Sequence, residues 1–180
     1  MRNPAEILGA ANRLIKKYNT RDPFRLADEL GIMLRYSDSL GSLLGLYTVV
    51  LRNRVIILNS DLGENQRRMV LAHELGHDVL HREAAKTGLQ EYMLFDMRTP
   101  TEYEANAFAA HLLIDRDELI ELSKERELDP WSVSRELGLN VNLVLIKFAE
   151  MNRMGDSFTL PRIPDATFFK NELPGSENAF

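Results

Sequence analysis

The 180-residue chain contains no cysteine. That excludes disulfides and thiolate metal sites, and it agrees with a reducing, cytoplasmic setting. Long apolar runs are also missing. The longest, Leu43 to Leu51, is interrupted by Gly45, Tyr47 and Thr48 and falls well short of the roughly 20 residues a bilayer span needs. The first residues, Met1-Arg2-Asn3-Pro4, carry no apolar signal-peptide core, so no membrane partner is expected. Positive charge is not in excess either: 22 Lys and Arg stand against 27 Asp and Glu, a net charge of -5. A protein that tracks phosphates carries a basic stripe, and none shows here, so direct DNA binding is not expected. What remains is an apolar content of 44%, enough for one core or for a main domain with a small appendage.

Histidine is scarce too, four in all, yet three of the four fall within nine residues: His73, His77 and His81. The segment His73-Glu74-Leu75-Gly76-His77 is an H-E-x-x-H pattern. On a helix, positions 73 and 77 lie about 40° apart and one turn apart, so both imidazoles can converge on one ion. Glu74 then sits beside the pair, placed to act on a water without ligating. The bland alternative is an amphipathic helix with two surface histidines. The neighbours Met69, Val70, Ala72, Leu75, Val79 and Leu80 argue against it, because they make the helix largely buried, and buried imidazoles and a carboxylate require partners. Zinc is the metal suggested by this donor type; manganese or another divalent ion suits the same set.

A catalytic zinc takes three protein ligands, so one is missing. His81 lies eight residues from His73, about 12 Å along a straight helix, too far to share the ion comfortably; it is expected to stand behind the ligands or at the surface. A metzincin-type continuation requires Gly at 80, where Leu80 stands. The stronger source is the segment from Thr99 to Ile114. Thr99 reads as an N-cap, Pro100 as the first helical residue and Glu102 as the capping-box partner, which gives Glu102 a structural task. Glu104 has no such task. It precedes Ala105, Ala107, Ala109 and Ala110, small residues that permit close helix–helix approach, and is the expected third ligand.

These two segments together, HELGH and then Glu104-Ala-Asn-Ala-Phe-Ala-Ala-His-Leu-Leu113, resemble the ImmA/IrrE metallopeptidases of bacteria and their mobile elements. The similarity covers roughly residues 5–150, with Ile114-Asp115 standing where the family often has Met-Pro. It implies that Glu104, just before Ala-Asn, completes a His-His-Glu site with His73 and His77. It also implies the function: a zinc endopeptidase that cleaves a cognate helix-turn-helix repressor, encoded nearby, and so derepresses mobile-element or stress-response genes. A regulator that binds and displaces the repressor without cutting is the alternative. The intact Glu74 favours the enzyme, since metal binding alone does not require it.

The chain pattern predicts an α+β fold: a mostly helical, zincin-like domain over 1–115 with a small three-stranded antiparallel sheet, a helix-turn-helix-like trihelical lobe over 116–154 packed on it, and an extended tail over 155–180. Helices are expected over 4–18, 23–30, 64–82, 100–113, 116–127, 130–137 and 141–153, and strands over 32–36, 45–51 and 54–59, the last two as a hairpin. Asp22-Pro through Gly31-Ile32 parallels Asp129-Pro through Gly138-Leu139, which convergence on Asp cap, Pro start and Gly stop explains. The last helix has Lys147 as its only cation before Arg153 and is apolar on most sides, as a core helix and not a groove reader would be.

Chemically, Glu74 is expected to accept a proton from water and pass it to the leaving amine. A donor for the developing oxyanion is needed as well; His111, Tyr103, Tyr92 and His81 are the candidates. The substrate is expected to bind extended, as an added strand at a sheet edge.

Overall fold

A computed structural model of the chain describes residues 1–85, 99–125 and 129–160. Tyr92, most of the 83–98 connector, the end of the helix expected to reach 127 and the tail beyond 160 lie outside those residues. Among the described residues the order is α1 (Pro4–Tyr18), α2 (Pro23–Glu29), β1 (Met33–Ser37), β2 (Gly45–Val50), β3 (Asn53–Asn59), α3 (Glu64–Ala85), α4 (Pro100–Leu113), α5 (Arg116–Glu125), α6 (Pro130–Leu137) and α7 (Val141–Arg153).

Most boundaries follow from local chemistry. Asn3, Asp22, Thr99, Asp129 and Asn140 each cap a helix by accepting a backbone N–H, which satisfies donors that the first turn leaves open. Proline occupies the first turn after four of these caps, where its missing N–H costs nothing. Gly138 closes α6 in the left-handed region at φ 62°. None of the described helices is long and apolar enough to cross a membrane.

The sheet is mixed, not antiparallel as expected. Its order is β1-β3-β2, with β2 antiparallel to β3 and β1 parallel to β3. The reason is burial. β3 carries Val55-Ile56-Ile57-Leu58, with Ile56 and Leu58 fully buried, so it takes the central position. The connection 38–44 spans the two strand spacings, about 10 Å, that let β1 and β2 flank it. The β2–β3 turn holds Leu51 and Arg52 at φ 50° and 69°, the left-handed pair that a two-residue hairpin demands.

One apolar core runs from Ile7 and Leu26 through Ile56, Leu71, Leu75 and Phe108 to Val144 and Phe148. α7 packs against α4 within it, keeping Leu143 through Phe148 buried. That leaves no broad polar face on α7 for a nucleic-acid groove.

The two long central helices set up the site. α3 presents two stripes at i, i+4 spacing. Val70, Glu74, Asp78 and Arg82 follow β2 and β3: a Cβ on Gly45 would meet Val70 and Glu74, Asp78 receives the Tyr47 hydroxyl, and Arg54 and Arg82 both reach Asp78. His73, His77 and His81 face α4. Gly76 lies where the two helices touch, since a Cβ there would stand 3.0 Å from the Ala105 Cα. The alanines of α4, Ala105, Ala107, Ala109 and Ala110, are all fully buried, as close approach requires.

Candidate active site

His73 and His77 project from successive turns of α3 with their Nε2 atoms 3.0 Å apart. The third member of the group comes from the first turn of α4, and it is Glu102. Its Oε2 lies 3.3 Å from His73 Nε2 and its Oε1 3.4 Å from His77 Nε2. All three side chains are buried, and their donor atoms lie within 4.8 Å of one another. Donors arranged tetrahedrally around a zinc ion, each about 2.05 Å from it, stand about 3.3 Å apart. The observed spacings match that edge length, so the residues fit a divalent cation. Two nitrogens and a carboxylate aimed at one point in a buried space are also what a cation would balance.

Glu104, the residue expected in this group, stands elsewhere. On a helix it is about 200° around from Glu102, and its carboxylate meets His81 Nε2 at 3.0 Å and the Arg2 guanidinium at 3.2 Å, with the Arg2 backbone N–H at 2.6 Å. Glu102 has the capping geometry expected of it only in half: its backbone N–H binds Thr99 Oγ1 at 3.3 Å, while its side chain turns inward to the histidines. The overlooked signal is Asn106. It lies four residues after Glu102, hence on the same face, and its Oδ1 sits 2.8 Å from His73 Nδ1. A hydrogen bond on the far nitrogen fixes which ring nitrogen a ligating histidine can offer. His81 supplies the counterpart for His77, with its Nδ1 3.3 Å from His77 Nδ1. It therefore stands behind the candidate ligands, one of its two expected places. α3 departs from helical geometry there, with φ −128° at His81.

Glu74 is 1% exposed. Its Oε1 has no hydrogen-bond partner among the described residues, and a Cβ on Gly45 would lie 3.1 Å from it. Burial, and then the charge of Glu102, raise its proton affinity well above the usual carboxylate range, against the pull of the Tyr47 backbone amide. Burial also raises Glu102, yet its bonds to His73 and His77 outweigh that and leave its pKa lowered. His77 is lowered chiefly by burial, which keeps its imidazole neutral and available as a ligand.

Asp78, fully buried immediately after His77, anchors this arrangement. It accepts from Tyr47 Oη at 2.7 Å, from Arg54 at 2.8 Å and from Arg82 at 2.9 Å, and Arg54 also reaches the Leu30 carbonyl. Nothing in the residue pattern marked Asp78, because two of its three partners, Tyr47 and Arg54, come from strands far away in sequence.

Three of the four candidate oxyanion donors are described, and each is engaged elsewhere. Tyr103 donates to Glu150 Oε1 at 2.6 Å, His81 meets Glu104, and His111 turns to α7, with Lys147 Nζ 3.1 Å from its Nδ1. Lys147 is itself buried, which pushes its pKa down to about 8.

Residues 27–148 match the family Peptidase M78, described as the IrrE N-terminal-like domain. The chain is also 39% identical, over 114 residues, to the "Uncharacterized immunity region protein 2" of Bacillus phage phi105; the match covers 63% of this chain and 72% of that protein.

Proposed function

Because the chain belongs to the M78 peptidase family, with its IrrE N-terminal-like domain, we propose that it is a zinc-dependent endopeptidase acting in the cytoplasm on a helix-turn-helix transcriptional repressor encoded nearby. The observation that carries this is the convergence of His73, His77 and Glu102 beside a buried Glu74 that has an unpartnered oxygen. Metal binding alone accounts for the first three residues; the fourth is what hydrolysis adds.

His73, His77 and Glu102 would hold the ion. When bound, it supplies a polarised carbonyl and a water of lowered pKa. Glu74 would accept a proton from the attacking water on its carboxylate and return it to the departing amine. A carboxylate held in an apolar wall accepts a proton readily, as the raised pKa of Glu74 requires. Asn106 and His81 hold the two imidazoles from behind, Asp78 ties α3 to β2, and Gly76 sets the spacing between α3 and α4.

The substrate chain pairs with β2. β2 is an edge strand, and the register fixes which residues face outward. In a two-residue hairpin the flanking pair Val50/Asn53 exchanges hydrogen bonds, so Thr48 and Leu46 also bond inward. Gly45, Tyr47 and Val49 then turn their backbone groups to the free edge. The edge begins beside Glu74, where a segment laid along it would meet the base.

The immunity-region name of the phage relative supports a repressor as the target class. The test is incubation with the helix-turn-helix protein encoded beside the gene, with and without chelator and with Glu74→Gln. Two fragments from the wild type and intact repressor in both controls are expected. Release of the repressor from DNA without fragments would replace the peptidase with a displacement factor.

A further inference from the structure

The far end of β2 carries a feature that hydrolysis does not use. Val49, Arg52, Arg54 and Arg82 line a pocket of about 640 Å³ between the hairpin and α3. Three guanidinium groups meet there in a chain whose net charge is -5. Asp78 bonds two of them, Arg54 and Arg82, and takes the Tyr47 hydroxyl as well. Asp78 is fully buried, so its charge lies under the pocket, while Arg52 is exposed and the Arg82 side chain is 44% exposed. Among the described residues that line or underlie the pocket, three cations stand against one anion. Arg52 has no ion pair among the described residues, and it is held at the hairpin tip in the left-handed region at φ 69°, beside Leu51, which is 90% exposed at φ 50°. Neither residue is the glycine or asparagine such a turn favours, and backbone strain of this kind concentrates at working surfaces.

We propose that this pocket binds an acidic side chain of the substrate, about four residues before the bond that is cut. The inference rests on the peptidase reading above. Its register comes from the strand: Gly45 abuts Glu74, and Val49 lies four residues further along the same edge, about 13 Å away. A substrate paired antiparallel to β2 runs in the opposite direction, so the residue opposite Val49 precedes the one opposite Gly45 by four. A carboxylate there meets a fork of donors suited to bidentate capture.

The experiment is cleavage of a proteome-derived peptide library by the zinc-loaded wild type, Arg52→Glu and Arg52→Lys, with cut sites read by mass spectrometry. Asp and Glu are expected to be enriched several-fold three to five residues before the cut in the wild type and in Arg52→Lys. In Arg52→Glu that enrichment is lost or inverted while other bonds are still cut. Cleavage by the wild type without acidic enrichment, or enrichment that survives charge reversal, overturns the pocket and leaves the peptidase standing. Failure of the wild type to cut any peptide removes the peptidase, and this inference with it.

Discussion

α3 and α4 bring histidine and glutamate together twice, one helical turn apart, with opposite consequences. On the first turn His73, His77 and Glu102 converge with donor atoms 3.0–3.4 Å apart. On the next, His81 and Glu104 meet at 3.0 Å and Arg2 closes the group at 3.2 Å. The residue types are the same, but the second group already contains its cation in the guanidinium of Arg2. The first group gathers two buried imidazoles and a carboxylate whose donor atoms converge within 4.8 Å of one another. The difference shows that a candidate metal site is marked by how its donor atoms converge, not by the donor types alone.

The strongest break in this comparison is removal of the base. Glu74→Gln is expected to lower the cleavage rate by about 10²–10⁴-fold while zinc content stays at the wild-type level, measured by repressor fragment formation and elemental analysis on one preparation. Gly76→Ala attacks the spacing that both groups depend on. Its Cβ would lie 3.0 Å from Ala105 backbone atoms, so α4 must shift; a loss of about 1–3 kcal/mol in urea unfolding, with weaker zinc binding, is the expected result. Glu104→Gln touches only the second group. Through His81 it is expected to weaken zinc affinity about tenfold in a competition titration, without removing the ion.

The smallest effect lies away from both groups, where α4 meets α7. Burial and then the charge of Arg21 push Lys147 down to about 8. Between that value and the unfolded value near 10.5, the unfolded chain binds a proton that the folded chain does not, so this residue makes stability rise with pH. Tyr47 and Tyr103 are both raised, chiefly by burial, and make stability fall above about pH 10, where unfolded phenols ionise. Wild-type stability is therefore expected to climb by about 1 kcal/mol from pH 8 to pH 9.5 relative to Lys147→Met, in urea titrations at the two pH values.

Much of this was legible in the residues because it is local. The caps at Asp22, Thr99 and Asp129, the prolines that follow them, the HELGH helix and the β2–β3 hairpin are each written within a few neighbouring positions, and each stands within a residue or two of where it was expected. The mixed sheet was not legible, because which strand takes the centre depends on burial across the whole layer. Glu102 was hidden by its own second role. A glutamate three residues past a threonine cap satisfies the capping pattern, and Glu102 does bind Thr99 through its backbone; only the three-dimensional packing turns the side chain away. Its spacing of four from Asn106 was present in the sequence, but Asn106 gains meaning only once His73 is known to lie against it.

The most direct test is the zinc content per chain of wild type, Glu102→Gln and Glu104→Gln, purified without chelators. One zinc in the wild type, one in Glu104→Gln and none in Glu102→Gln is the predicted result. A wild type without metal, or a full site in Glu102→Gln beside an empty one in Glu104→Gln, would contradict it.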